Sequence, residues 1–359
     1  MGVFSAIDFN HHEQVVFCSD KDSGLKAIIA IHNTKLGPAL GGCRMWNYAS
    51  EQEAVTDVLR LSRGMTYKAS IANLKLGGGK AVIIGDPKTM KTPELFHKFG
   101  EFIELLNGRY ITAEDVGTSV QDMGLIRETT SHVVGRDVSQ GGSGDPSPYT
   151  ALGLYHSITA AVAYKLQQNS LAGITVAVQG LGHVGSQVCK LLHEDGAKLI
   201  LTDLDKRLAI EMGQVYGAEV VDSDEIYSVD AEVFVPCALG AVINDFTIPQ
   251  MHFDIISGAA NNQLERRDHG EMLYEKGILY APDYVVNAGG LINVYYEGPG
   301  YDEEKVRRHV EGLHDTLLVV FRKSEELGIS TSEAADRLAQ ERLQAHEGTS
   351  TGLKNQKSK

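Results

Sequence analysis

Gly180-Leu181-Gly182-His183-Val184-Gly185 decides the fold. It matches G-x-G-x-x-G, a pattern that carries little weight alone. Its flanks supply the weight. The apolar run Ile174 to Gln179 reads as a buried strand, and Val184 to Glu194 reads as a helix. A second apolar run, Lys198 to Thr202, ends at Asp203, about the 20 residues downstream that a dinucleotide-binding strand–turn–helix requires. Each glycine has a physical task. Gly180 permits the tight turn, Gly182 lets the backbone approach a pyrophosphate, and Gly185 allows helix and strand to pack closely. His183 in the loop and Val184 at the helix start are candidate cofactor contacts, because the free N–H groups and positive dipole end of that helix suit phosphate. His183 itself reads as a solvent-facing loop residue. The Asp203 carboxylate can accept from a ribose diol and would repel a 2′-phosphate, which favours NAD over NADP. Lys206 and Arg207 lie close enough to soften that choice.

Outward from the loop, strands and helices alternate. Asp205 to Tyr216 reads as a helix; Glu232 to Pro236 and Asp254 to Ser257 read as strands. Such alternation predicts a parallel, doubly wound sheet, so the fold class is α/β. Asp302 to Leu327 reads as one helix with Val306, Val310, Leu313, Leu317 and Phe321 along a stripe. Ser330 with Glu333 suggests a capping box opening a last helix to Leu343. The polar end of the chain, 346–359, is expected to be a disordered tail.

The first 135 residues mix both elements. Gln14 to Phe17 and Leu25 to His32 read as strands, and Glu51 to Thr66 as a helix that presents Met65 and Lys68 to one side. Gly77-Gly78-Gly79 precede Lys80 and the strand Ala81 to Ile84; Tyr110 to Thr112 is a strand running into Asp115. A phosphate loop is excluded, because Leu74 and Ala81 stand where Gly and Ser or Thr are needed. The glycines suggest a sharp bend or close approach of a ligand. The Gly/Ser/Pro-rich stretch Ser139 to Pro148 reads as a loop and a possible hinge. Two domains follow: a mixed α/β domain over 1–135 and a Rossmann-type domain over 136–324.

The composition excludes several classes. The chain has 359 residues, 43% hydrophobic and 22% charged, ordinary for a globular enzyme. A net charge of −14 argues against nucleic acid and anionic membrane partners. No apolar run approaches the ~18 residues of a membrane span. The start of the chain does not read as a signal peptide. Cys18, Cys43, Cys189 and Cys237 form neither a disulfide framework nor a zinc spacing, so no metal is expected and a reducing cytoplasm is the simplest home. Cys43 reads as a small buried residue.

Lys68, Lys80 and Asp115 are charges in apolar or glycine-rich settings. The residues alone do not bring them together, and a structural ion pair or a surface charge is the alternative for each. A resemblance adds that step. Gly37 to Trp46, Gly64 to Lys68, Leu76 to Ile84, Gly108 to Gly117, Gln179 to Gly185, Pro236 to Ala241, Ala260 to Leu264 and Ala281 to Gly290 resemble, in order, the motifs of the glutamate, leucine, phenylalanine and valine dehydrogenases.

The resemblance implies oxidative deamination: an L-amino acid and NAD give a 2-oxo acid, ammonium and NADH. By matching motif, Lys68 holds the substrate carboxylate, Lys80 is the catalytic lysine and Asp115 its acidic partner. Gly41 and Met65 line the substrate site, with Leu40, Ala113, Leu291 and Val294 as further pocket positions. Asn262 lies between substrate and cofactor. Thr150, Cys237, Ala238 and Asn287 contact the cofactor. The pocket residues are all apolar, which suits leucine, valine and isoleucine; phenylalanine remains an alternative, as does a non-catalytic NAD sensor. Lys80 must be neutral to act as a base, so deamination is expected to be fastest at alkaline pH. Also implied are a substrate and oligomerisation role for the 1–135 domain, C-terminal helices at about 325–345 that return to it, a cleft between the domains, and a homo-oligomer, octameric or dimeric. After Gly290, Val294-Tyr295-Tyr296-Glu297-Gly298-Pro299-Gly300 departs from the family pattern and puts the Val294 assignment in doubt.

Overall fold

A computed structural model describes residues 2–135 and 142–354, with side chains through 345. Part of the expected hinge, 139–141, lies outside the described residues. The chain divides into two compact units. The first holds the residues up to Asp145, Val294–Tyr301 and the chain from Ala339 onward; the second holds Pro146–Asn293 and Asp302–Leu338. Thus the return to the first unit begins at Ala339 rather than near 325, and the short excursion Val294–Tyr301 was not legible in the sequence.

In the first unit, β1 (Gln14–Ser19), β2 (Lys26–Asn33), β3 (Ala39–Trp46), β4 (Gly77–Ile84) and β5 (Tyr110–Glu114) form a mixed sheet in the order β1-β2-β4-β3-β5. β3 runs parallel to β4 and β5, while β1–β2 and β2–β4 are antiparallel. Helix α1 (Glu51–Ile71) covers one face; α2 (Pro93–Glu104) and α3 (Val120–Arg127) cover the other. Ser50 caps α1 by accepting from the Glu53 amide. The alternation along β4 sorts its side chains: Val82 packs with Val55, Val58 and Leu59, whereas Ala81 and Ile83 pack with Phe96, Phe99 and Met123. By the same alternation Lys80 shares the α1 face.

The three glycines do something other than bend or admit a ligand. They lie within extended β4, so Lys80 is in the strand and not ahead of it. A Cβ on Gly77 would lie 2.0 Å from the Asn33 carbonyl oxygen, one on Gly78 2.1 Å from the Thr66 amide nitrogen, and one on Gly79 2.8 Å from the Tyr110 ring. The glycines let β4 sit against β2, α1 and β5 at distances no side chain permits.

Behind α1 lies a buried histidine pair. His12 Nδ1 accepts from the Asn10 amide and its Nε2–H donates to the Leu59 carbonyl, which defines a neutral ring. His32 Nδ1 meets Thr66 Oγ1 at 2.8 Å, and the two rings stand edge to face with centroids 4.8 Å apart. Burial first, then His12 and Arg63, pull His32 down to about 3; burial, partly offset by the Leu59 bond, lowers His12. Both rings are therefore neutral when folded and charged when unfolded below the ordinary pKa of about 6.5. Their stabilisation is complete above that value and is lost as pH falls from it toward 3, by about 1.4 kcal/mol per unit for each ring still neutral in the fold. The midpoint of thermal unfolding should fall between pH 6 and 4, and His32→Asn should flatten that slope. Equal slopes for the two proteins would exclude the pair as the cause.

In the second unit, β6 (Thr175–Gln179), β7 (Lys198–Thr202), β8 (Glu219–Val220), β9 (Val233–Pro236), β10 (Ile255–Ile256) and β11 (Leu279–Tyr280) form an all-parallel sheet, order β11-β10-β9-β6-β7-β8. α4 (Ser147–Lys165), α5 (His183–Glu194), α6 (Lys206–Tyr216), α7 (Asp268–Glu275), α8 (Asp283–Val286) and α9 (Gly289–Tyr295) follow in chain order. The expected α/β class is observed. The single helix expected over 302–327 is two, α10 (Glu303–Glu311) and α11 (Leu313–Leu327), broken at Gly312. The stripe survives because Gly312 keeps near-helical angles, φ −63° and ψ −10°, so all five apolar positions remain buried. Ser330 accepts from the Glu333 amide at the start of α12 (Thr331–Lys354). That helix runs past Leu343, so the tail expected to be disordered is helical backbone as far as Lys354; 355–359 lie outside the described residues. Among the described residues, no helix is long and apolar enough to cross a membrane.

Candidate active site

In the first unit Lys80 Nζ lies 2.9 Å from Asp115 Oδ2. Lys80 is buried on β4, and Asp115 begins the turn that leaves β5. That turn is built to hold a carboxylate. The Asp115 amide donates to Thr118 Oγ1, and the Thr118 amide donates back to the Asp115 carbonyl. Thr118 Oγ1 also bonds the Cys43 carbonyl, and the Met45 amide donates to the Val116 carbonyl, so the turn is pinned to β3. Gly117 takes φ +82°, and a Cβ there would lie 1.9 Å from the Met45 carbonyl oxygen. Gly42 opens the way for Asp115, since a Cβ on Gly42 would lie 2.8 Å from the Asp115 Cβ.

Sequence reasoning missed a third group. Arg44 Nε donates to the same Asp115 Oδ2 at 3.0 Å, and Arg44 Nη1 to Asp57 Oδ2 at 2.9 Å. Tyr48 Oη donates to that Asp57 oxygen at 2.7 Å. The available signal was an arginine inside the apolar strand Ala39–Trp46; nothing in the sequence marked Asp57 or Tyr48 as its partners. Burial pushes the Asp115 carboxyl up, but the cations of Lys80 and Arg44 outweigh it and hold the group below its ordinary value. Burial lowers Arg44, and Asp115 and Asp57 more than offset it.

The other proposed substrate residues in this unit, Val294 apart, lie on α1 and on the strands β3 and β5. Met65 and Lys68 are half-buried on α1, and Met65 Cγ lies 3.3 Å from where a Gly41 Cβ would stand. Leu40 is buried opposite Gly78, and Ala113 pairs with Gly42. Val294, near the end of α9, is grouped with this unit; Leu291 is buried in the second. Cys43 is fully buried and burial raises its thiol well above the ordinary range, as befits a packing residue.

In the second unit the glycine loop stands between β6 and β9, where the strand order reverses, the usual place for a ligand on such a sheet. Gly180 has φ +94°, and a Cβ on it would lie 2.8 Å from the Ala238 amide nitrogen. Cys237 is held against the loop by its amide bond to the Gln179 carbonyl. A Cβ on Gly185 would lie 1.9 Å from the Gly180 carbonyl oxygen, whereas Gly182 faces open space. Asp203 does more than expected: its carboxylate accepts from the Leu181 amide at 2.6 Å and the Asp205 amide at 2.8 Å, so it also shapes the loop. Thr150 Oγ1 bonds the Pro146 carbonyl. Asn287 Nδ2 is spent on Ala259 and Asn261, while its buried Oδ1 has no protein partner. Asn262 is held at φ 52°. An open cradle at Gly182, an N-terminal helix end and an orphaned buried acceptor fit a dinucleotide.

A parallel doubly wound sheet with this loop, joined in one chain to a buried lysine–aspartate pair, defines a dinucleotide-dependent enzyme. Residues 12–132 match the Glu/Leu/Phe/Val dehydrogenase dimerisation domain, and 141–211 and 201–347 match Glutamate/Leucine/Phenylalanine/Valine dehydrogenase. The chain is 54% identical over its whole length to leucine dehydrogenase of Thermoactinomyces intermedius, covering 98% of that protein. It is 52% identical to leucine dehydrogenase of Geobacillus stearothermophilus, over 96% of this chain and 94% of that one. The solved structure of L-tryptophan dehydrogenase from Nostoc punctiforme superposes with a TM-score of 0.85 at 49% identity, covering 94% of this chain and 97% of that one. The chain belongs to the glutamate/leucine/phenylalanine/valine dehydrogenase family. It is an amino-acid dehydrogenase, and its family chemistry calls for a nicotinamide cofactor.

Proposed function

We propose that the protein deaminates branched-chain L-amino acids, leucine with valine and isoleucine, using NAD. The observation that supports this reading is the Lys80–Asp115 pair beside Gly42, on strands and a helix that also carry Gly41, Met65 and Ala113; Arg44, the other cation on Asp115, is committed to Asp57 and Asp115 rather than to a second substrate carboxylate. Lys68 holds the substrate carboxylate. Asp115, kept ionised by Arg44 once Lys80 has given up its proton to solvent, accepts a proton from the substrate ammonium. A nicotinamide dinucleotide held at the loop of Gly180, Gly182 and Gly185 would supply the acceptor for the hydride on Cα. Lys80 then removes a proton from water as its oxygen attacks the resulting iminium carbon, and stabilises the oxygen that develops. Asp115 returns its proton to the nitrogen; the C–N bond then breaks as the C=O bond of the 2-oxo acid forms, and the departing ammonia takes the hydroxyl proton and leaves as ammonium.

Support for NAD lies around Asp203. The two nearby cations are engaged elsewhere, Lys206 with Asp222 at 2.6 Å and Arg207 with Glu211 at 2.9 Å, so neither is committed to a 2′-phosphate. Self-association, through the first unit, accords with the exposed Phe4, Ile7 and Phe17.

NADH absorbance at alkaline pH with a panel of L-amino acids tests the reading. Leucine, valine and isoleucine should be turned over above phenylalanine and tryptophan, and NAD should outperform NADP. The three aliphatic substrates should differ little, since one methylene in an apolar pocket is worth only about 1–3 kcal/mol. Preference for an aromatic substrate would overturn the pocket reading and leave the chemistry standing. The favouring of NAD would fail if NADP served equally well.

A further inference from the structure

We propose that Arg44, held by Asp57 and Tyr48, is a positioning residue for the deamination proposed above: it fixes Asp115 so that one carboxylate oxygen is retained by the protein and the other is presented to the substrate nitrogen. The inference rests on that functional reading for its catalytic consequence, and on geometry alone for the rest.

Two donors converge on one oxygen. Lys80 Nζ and Arg44 Nε both reach Asp115 Oδ2, at 2.9 and 3.0 Å, and among the described residues no protein donor reaches Oδ1. A carboxylate has room for about four donors, so the sharing is not forced by capacity. It leaves Oδ1 as the accepting atom. The lysine must change its protonation during turnover and cannot hold Asp115 throughout. Arg44 can, because a guanidinium stays charged at every working pH and its planar fork reaches two acceptors in fixed directions.

Arg44 is itself held. Its Nη1 donates to Asp57 Oδ2 on α1, and Tyr48 Oη donates to the same oxygen. Burial and the Asp57 bond keep the Tyr48 hydroxyl protonated, so it remains a donor. The chain of contacts thus runs from Lys80 on β4 through Asp115 and Arg44 to Asp57 on α1. Two cations and two carboxylates balance within it, which suits groups that are each less than a quarter exposed. Without Arg44, two half-buried carboxylates would face one lysine, and Asp115 would be both freer to turn and harder to ionise.

The experiment compares the full-length protein with Arg44→Met, Arg44→Lys, Asp57→Asn and Tyr48→Phe. Two readouts are used: kcat and KM for the amino acid, and the carbon-13 carboxyl titration of Asp115 in protein without substrate. Arg44→Met should lose about 100-fold in kcat with KM within about threefold, because Lys68 and not Arg44 holds the substrate carboxylate. Arg44→Lys should recover no more than about a tenth of the parent's kcat, since a single ammonium cannot span both carboxylates. The Asp115 titration should move to higher pH in Arg44→Met and, by less, in Asp57→Asn.

Tyr48→Phe deletes one hydroxyl, keeps the fold, and should lower kcat severalfold; it serves if the arginine variants fail to fold. The proposal is overturned if Arg44→Lys is fully active, if the Asp115 titration does not move in Arg44→Met or Asp57→Asn, or if Tyr48→Phe matches the parent in kcat. Should the parent turn over no amino acid, the functional reading fails, and the titration still decides whether Arg44 governs Asp115.

Discussion

Lys80→Ala is expected to lower turnover by about 100- to 10,000-fold, the range that a positioned general base contributes. The nicotinamide dinucleotide should bind as before, because none of the glycine-loop residues belongs to the unit that carries Lys80. Lys80→Arg separates charge from basicity. It keeps a cation beside Asp115 but cannot give up its proton at working pH, so it should be as inactive as the alanine variant. Stability moves far less than activity. Removing one partner of a fully buried ion pair costs about 3–5 kcal/mol. Here Asp115 is a fifth exposed and retains Arg44, which holds the loss below that range. The check is kcat for all three proteins beside dinucleotide affinity and the unfolding midpoint. Activity in Lys80→Arg within tenfold of the parent would remove Lys80 from the role of base.

The contrast between what the sequence disclosed and what it withheld has physical causes. The glycine loop was legible because its strand, turn, helix and acidic residue are contiguous, and each residue's task is local. The same holds for α5, α6 and their strands, whose apolar periods are strong. Helix α4 was not seen. Its residues from Ser147 to Lys165 are mostly small or apolar, and the few polar side chains among them, such as His156, do not line one face to set a period. The break at Gly312 was hidden for the opposite reason: the stripe continued through it. The catalytic cluster lay beyond local reading altogether. Lys80, Asp115, Arg44 and Asp57 come from two strands, a turn and a helix, and only the register of β3 between β4 and β5 brings them together. Family resemblance carried Lys80 and Asp115 across that gap; it said nothing of Arg44, Asp57 and Tyr48. The triple glycine was read as a sharp bend or a ligand's approach, whereas it lies in an extended strand approached by the protein's own β2, α1 and β5.

That correction yields the second large effect. Gly78→Ala should destabilise the protein and weaken substrate binding together. The added Cβ would lie 2.1 Å from the Thr66 amide nitrogen and 2.5 Å from its Cα. These are backbone atoms, so no rotamer change relieves the clash and α1 must shift as a body. Overpacking of this kind costs about 1–3 kcal/mol and occasionally more. The unfolding midpoint should fall by several degrees. Because α1 also carries Met65 and Lys68, its displacement should move the lysine proposed to hold the substrate carboxylate, and KM should rise severalfold. Gly64→Ala is the control. It lies in the same helix, exposed, with nothing within 4 Å of its Cβ position, so it should stabilise by up to about 1 kcal/mol through helix propensity and leave KM alone. Opposite signs for a glycine-to-alanine change at the helix–strand contact and one on the exposed side of the same helix would establish that β4 is glycine-rich for packing. An unchanged midpoint and KM in Gly78→Ala would show that α1 has slack at Thr66, and the tight seat of Lys68 would have to be sought elsewhere.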